Sequence, residues 1–413
     1  MRMKLKTTAL FLLATFALSG CASFGEGIAQ AVLNKQEEVD LRRCEIWGKP
    51  FSGLEPNLAV QHGRMKVLMV HGVGDHLSGY STQFLEKLAH ELNLPVRASQ
   101  YKEITLTSRR TATPLGNLRI NRLLSKDRQR ELLFYELTWS PITSKQKSVL
   151  AYDNSGEYAF RRAEVNDLMK KFSNDTAPDP IIYLGDSRDD ILTSFAQSFC
   201  WMTKSSWEDL PTGTPEPCSF NDEAAASNIL TDNYAIVSHS LGSRISIDGM
   251  QRIASVAKDR NINFRRALQQ KELPIYMLSN QLPMLQLGRG LPEVRNQKAA
   301  YCDAKGEKYN ERLLKKMPII AFSDPNDLLS YAIPTGFVEN YLDSRLCMDV
   351  TNVSINIATV YDAFGLGKFA NPMQAHIGYD ADDRVIALIA KGIGYDHSSM
   401  LVQNRCKWTE TID

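Results

Sequence analysis

No stretch of the chain approaches the roughly 18–20 consecutive apolar residues that a membrane-crossing helix needs, so nothing in it reads as a transmembrane span. Neither sign of charge dominates: 48 Lys and Arg stand against 47 Asp and Glu in 413 residues. That balance excludes a basic field for nucleic acid and an acidic solvating tail. Glycine (24) and proline (17) are not in excess, which argues against a collagenous or long disordered segment. There is no C-x-x-C and no Cys/His spacing of the kind that holds zinc. Internal repeats and low-complexity tracts are also missing. What is present, 43% apolar and 23% charged residues, describes a globular chain of one large domain or two smaller ones. A core of that size is viable without metal or disulfide.

The first twenty residues read as an address. Arg2, Lys4 and Lys6 precede a short apolar run from Thr7 to Ala17, the n- and h-regions of an export signal. Leu18-Ser19-Gly20-Cys21 follows and resembles the bacterial lipobox. That resemblance implies cleavage before Cys21 and lipidation of its thiol; a plain secretory signal that happens to contain a cysteine is the alternative. Ala22, rather than Asp, follows the cysteine and favours sorting to the outer membrane in a Gram-negative host. The expected partner is therefore a membrane, reached through an N-terminal lipid anchor. Residues 1–20 are read as signal, 21–60 as a tether with a helix-like run at 30–43, and 61–413 as the domain.

With Cys21 set aside, Cys44, Cys200, Cys218, Cys302, Cys347 and Cys406 remain. An even number in an oxidising compartment suits three disulfides, and sequence alone leaves fifteen pairings. Proximity along the chain favours Cys200–Cys218 and Cys302–Cys347, which leaves Cys44–Cys406 to tie the ends together.

Short apolar runs predict strands at 66–70, 132–137, 234–237, 274–278, 318–322 and 353–360. Helical spacing predicts helices at 82–92, from 241 to about 255, and at 384–391. Alternation of buried strands with helices gives an α/β fold, a mostly parallel sheet covered by helices on both faces. The span between the strands at 132 and 234 exceeds one crossover, so residues 142–228 are expected to hold an inserted cap or lid. Its pieces would be helices at 158–172 and 191–202 and a proline-rich loop at 211–217.

Ser238-His239-Ser240-Leu241-Gly242 joins an apolar strand to a helix, with small residues two before and two after Ser240. Such a turn lifts a serine Oγ above the sheet at a helix N-terminus. His71-Gly72-Val73-Gly74-Asp75-His76 ends the first confident strand, and its glycines permit close approach of the backbone. A plain turn, or a metal site from His71, Asp75 and His76, is the alternative there. A serine becomes nucleophilic when a histidine takes its proton and a carboxylate orients that histidine.

The segment 64–395 resembles an α/β-hydrolase of the lipase/esterase kind, with Ser238 where the family's G-x-S-x-G has its first glycine. The resemblance implies chain order Ser, acid, His. It makes Ser240 the nucleophile and the N–H groups of Leu241 and Val73, with Gly72 or Gly74 beside them, the oxyanion hole. Beyond Ser240 only His376 and His397 occur, and His376 is favoured because it lies between the last strand and the last helix. Asp327, shortly before the apolar pair Leu328-Leu329, is favoured as the acid, with Asp324 as the fallback. The implied activity is hydrolysis of carboxylic esters, an acyl-ester or lipid as substrate, with neither metal nor organic cofactor. A thioesterase, an amidase or a catalytically silent scaffold would keep the same fold.

Gly185-Asp186-Ser187 echoes a Gly-Asp-Ser hydrolase signature but is declined as a nucleophile, because Arg188 follows and the segment lies mid-chain. Asn280-Gln281 could reach the site but reads better as a polar turn, and His239 as packed structurally. Trp139-Ser140-Pro141 reads equally as a pocket wall or as core, and the basic run 119–130 as a solvated helix.

Overall fold

The computed structural model describes residues 42–96, 100–155, 162–220, 223–257, 262–362, 368–394 and 398–411. Cys21 with the lipobox, the expected run 30–41 and His397 lie outside the described residues.

One ten-stranded sheet organises the chain. Its strands are β1 (Cys44–Gly48), β2 (Arg64–Val70), β3 (Gln100–Thr107), β4 (Pro114–Leu124) and β5 (Glu131–Thr138), followed by β6 (Asn233–His239), β7 (Ile275–Leu278), β8 (Met317–Ser323), β9 (Met348–Ile355) and β10 (Cys406–Thr409). The spatial order is β10-β1-β9-β8-β7-β6-β2-β5-β4-β3. The central block from β9 to β5 is parallel throughout. β4 and β3 continue it antiparallel on one side, and β1 pairs antiparallel with β9 on the other. The fold is therefore α/β with a large, mostly parallel sheet.

Strand alternation sends side chains into two cores. Leu68 and Val70 of β2, Leu133 and Tyr135 of β5 and Ile236 of β6 enter one. Met65, Val67 and Met69, Phe134, and Ala235 and Val237 enter the other. Helix α1 (Thr82–Glu91) covers the second core with Phe84, Leu85, Leu88 and Ala89. Helices α2 (Pro178–Leu184), α3 (Arg188–Lys204) and α4 (Leu241–Ala257) contribute Tyr183, Phe195, Phe199, Ile245 and Met250 to the first. The short helix α5 (Pro372–Ile377) is capped by the Asn371 side chain, which accepts from Met373 and Gln374 N–H groups. Helix α6 (Asp383–Lys391) buries Val385, Leu388 and Ile389 in the second core. Each large apolar side chain so buried contributes about 1.5–3 kcal/mol relative to exposure.

Four readings differ from this arrangement. Residues 44–48, placed in the tether, are sheet strand β1, because Cys44 and Ile46 alternate inward while Glu45 and Trp47 face out. The run 119–130 is no helix: 114–124 is strand β4, with Leu118 and Ile120 buried on one face and Arg119 on the other. Burial at Leu118 and Ile120 around Arg119 has period two, and Arg119 lies over the Tyr101 ring at 4.4 Å. The stretch 191–202, placed within the 142–228 cap, belongs to core helix α3; a Cβ on Gly249 of α4 would stand 2.1 Å from the Phe195 ring. The strand expected at 353–360 runs instead from 348 to 355.

Residues 146–178 form a compact unit of their own. Within it Glu164–Thr176 is helical, Lys147 pairs with Asp175 at 3.2 Å, and Asn174 donates to Asn154 at 2.8 Å.

Disulfides join Cys44 to Cys406, Cys200 to Cys218 and Cys302 to Cys347, the pairs expected. The first links β1 to β10 at the sheet edge, where Cys44 and Cys406 are register partners. Among the described residues, no helix is long and apolar enough to cross a membrane.

Candidate active site

Every parallel strand of the central block ends at the same edge of the sheet, and the loops that leave that edge carry the residues singled out. Ser240 stands between β6 and α4 with φ +53°, a left-handed conformation that a serine holds only when its surroundings compel it. Its N–H donates to Leu278 C=O at 2.9 Å, and its C=O accepts from Ser243 N–H (3.0 Å) and Ser243 Oγ (2.7 Å). The small flanks have visible causes. A Cβ on Gly242 would meet Val70 O at 2.4 Å, and a Cβ on Gly72 would meet the Ser240 Cβ at 2.7 Å. Ser238 is fully buried, its hydroxyl facing the Tyr276 C=O at 3.5 Å.

The structure brings Ser240, His376 and Asp327 into one hydrogen-bonded chain. His376 Nε2 lies 3.2 Å from Ser240 Oγ, and Nδ1 lies 2.9 and 3.1 Å from the two Asp327 carboxylate oxygens. Burial pushes the Asp327 carboxyl up. The hydrogen bond and charge of His376, the Ser279 hydroxyl and the Leu329 N–H outweigh it, and hold the group below the ordinary carboxylate value. Asp324 does not touch His376. Its carboxylate accepts from the N–H groups of Ile357 (2.6 Å), Ala358 (3.1 Å) and Asn326 (2.7 Å), fixing the loop that follows β8.

His239 Nε2 donates to the His376 backbone C=O at 2.8 Å and so props the segment bearing the imidazole. Burial, then the neighbouring His376, lowers its pKa to about 3, which keeps this ring neutral. Tyr379 is buried beside it, and its hydroxyl accepts from Asp324 N–H at 2.6 Å.

The 71–74 loop is braced from three sides. Trp139 N–H donates to His71 Nε2 at 3.1 Å, so Nδ1 carries the proton and donates to Gly72 C=O at 2.8 Å. Trp139 stacks on His71 with ring centroids 4.7 Å apart, and its Nε1 donates to His71 C=O. Both ring nitrogens of His71 are thereby engaged within the protein. Gly74 N–H donates to the buried Asp179 carboxylate at 2.7 Å. Gly72 lies against Ser240, with Val73 next in the chain. Leu241 opens α4, and the first N–H groups of a helix have no partner within it. Among the described residues, no three His, Cys, Asp or Glu side chains form a group able to hold a metal ion.

Sequence reading missed two contributors. Ser279 Oγ lies 2.7 Å from Asp327 Oδ2 and 3.0 Å from His376 Nδ1. The available signal was a polar residue directly after a short buried strand, in the position Ser240 holds after β6. Asp179 gave no signal, since 105 residues separate it from Gly74. Trp139, which reads equally as a pocket wall or as core, lies in the core and braces the loop after β2. Asn280 serves a turn, as expected, donating to Tyr331 C=O at 2.6 Å.

The arrangement can move a proton from a serine hydroxyl to an imidazole held in one tautomer. Comparisons with protein-family models, with curated proteins and with solved structures returned no match.

Proposed function

We propose that the chain is a serine hydrolase of the α/β-hydrolase kind that cleaves carboxylic esters, lipids being the preferred class. The observation that carries this reading is the Ser240–His376–Asp327 chain of hydrogen bonds, at 3.2 and 2.9 Å, on a serine forced into the left-handed region. In this reading Ser240 Oγ attacks the ester carbonyl and His376 Nε2 takes its proton, later returning it to the departing alkoxide. Asp327 holds the Nδ1–H tautomer. The N–H groups of Leu241 and Val73 receive the oxyanion, and a donor of that kind contributes about 10²–10³ in rate. Water then releases the acyl group from Ser240. Export and lipidation at Cys21 would bring this site to a membrane, and three disulfides accord with an oxidising compartment.

The test is covalent labelling of the mature-length protein with a fluorophosphonate probe, the adduct located by mass spectrometry. Labelling on Ser240, absent in Ser240→Ala and in His376→Ala, is the expected result. Ser240 has 0% of its surface exposed, so the experiment is run with and without detergent. Silence in both conditions rejects the reading in favour of a scaffold that keeps the fold. A panel of p-nitrophenyl esters then reports the preferred acyl length.

A further inference from the structure

Ser240 and Ser279 occupy equivalent places on adjacent parallel strands. His239 of β6 is the register partner of Leu278 of β7, so each serine is the first residue past its strand. Both have positive φ, +53° and +50°. Glycine would adopt the second conformation without strain. What a serine brings there instead is its hydroxyl, and Ser279 is fully buried with that hydroxyl aimed at the Asp327–His376 contact.

We infer that Ser279 is a positioning residue for the proposed hydrolase, holding the Asp327 carboxylate in the orientation that fixes His376. Its Oγ–H donates to Asp327 Oδ2 at 2.7 Å, while Leu329 N–H donates to Oδ1 at 3.0 Å. The carboxylate is thus held from both sides and faces the imidazole with both oxygens. The same bond draws charge from the carboxylate and limits how strongly it stabilises an imidazolium. The other titratable groups around the pair are His239, neutral under burial, Tyr379, whose phenol burial keeps protonated, and Asp324, committed to backbone N–H groups.

This inference rests on the hydrolase reading for its kinetic consequence but not for its spectroscopic one. Ser279→Ala removes the hydroxyl and keeps the strain; Ser279→Gly removes both. Loss of a hydrogen bond to a charged group predicts that both variants hydrolyse p-nitrophenyl butyrate with kcat about tenfold lower. KM should stay within about twofold, because the bond does not touch substrate. The acid limb of the pH–rate profile should move to higher pH in both, as the more basic carboxylate favours the imidazolium. NMR titration of protein carrying ¹³C-labelled histidine, with His376→Ala for assignment, should show the same upward shift for His376. A kcat loss confined to Ser279→Ala and restored in Ser279→Gly would mean that backbone strain mattered, and would overturn the inference. An unchanged or lowered His376 midpoint would overturn it as well. If wild-type protein resists the probe yet the His376 midpoint rises in both variants, the hydrolase reading fails and the role of Ser279 stands.

Discussion

The two ends of the same central strands bury polar groups in opposite ways. At the N-terminal end of β2, β5 and β6, full charges pair with full charges. Lys66 meets Asp232 at 2.7 Å, Arg64 meets Asp232 (3.0 Å) and Glu131 (2.8 Å), and Arg122 meets Glu131 at 2.6 Å. Lys66 has no exposed surface, and burial lowers its pKa against the opposing pull of Asp232. At the C-terminal end, 71–74, 239–240, 327 and 376 bring imidazoles, backbone N–H groups and the Asp327 carboxylate together, with two serines at positive φ. One end is an ionic network closed on itself. The other keeps a proton path and strained backbone, the form in which functional sites hold local cost. In the proposed reading the chemistry sits at one end of these strands and the ionic network at the other, and the two should separate by mutation.

The largest expected effect lies within the C-terminal end. Asp327→Asn should lower kcat about a thousandfold or more by fixing the wrong tautomer of His376, with little change in the melting temperature. Asp324→Asn should do the reverse, costing stability through the Ile357 and Ala358 N–H groups while activity per folded molecule persists. Ester kinetics beside thermal melts read both, and equal kinetic losses in the two variants would break the distinction. Next comes the ionic end. Asp232→Asn leaves the buried Lys66 without its ion-pair partner, with the Ser205 carbonyl at 2.7 Å and the Tyr234 ring remaining. The expected loss is about 3–5 kcal/mol in urea unfolding, as for other broken buried pairs, with normal probe labelling of Ser240 in the folded fraction. Lost labelling would show that the two ends are coupled.

The smallest effect is a slope. The folded-state pKa of His239 is about 3 against an ordinary 6.5, so the unfolded chain binds the proton first as pH falls. Stability contributed by the neutral ring is complete above pH 6.5 and declines toward pH 3, by at most about 1.4 kcal/mol per pH unit. Urea melts between pH 6.5 and 4.5 should show a shallower decline in His239→Gln than in wild type. Parallel lines would assign the acid sensitivity elsewhere.

Much of the C-terminal end was legible because the fold orders its parts along the chain. Once Ser240 is placed between strand and helix, only two histidines follow it, and one precedes the last helix. The choice between Asp327 and Asp324 needed coordinates, since both lie in one loop within a few residues. Buried apolar strands such as 66–70 and 318–322 were readable from composition. The antiparallel strands β3 and β4 were not: β3 leaves much of itself exposed, and in β4 the spacing of Arg119 and Arg122 suits a solvated helix, with only Leu118 and Ile120 marking the strand. Contacts such as Gly74–Asp179 and Ser279–Asp327 depend on pairings across 105 and 48 residues, which no local pattern encodes.

The interlock of Phe195 with Gly249 sets a limit on how Ser240 can be uncovered. A ring lodged where a methyl group cannot fit keys α3 to α4, so the two helices cannot slide past one another without prising that ring out. In the hydrolase reading Ser240 thus stands on an anvil, and whatever movement admits a substrate belongs to the loops above it. On that reading, variation in substrate range can accumulate in those loops while the anvil stays unchanged.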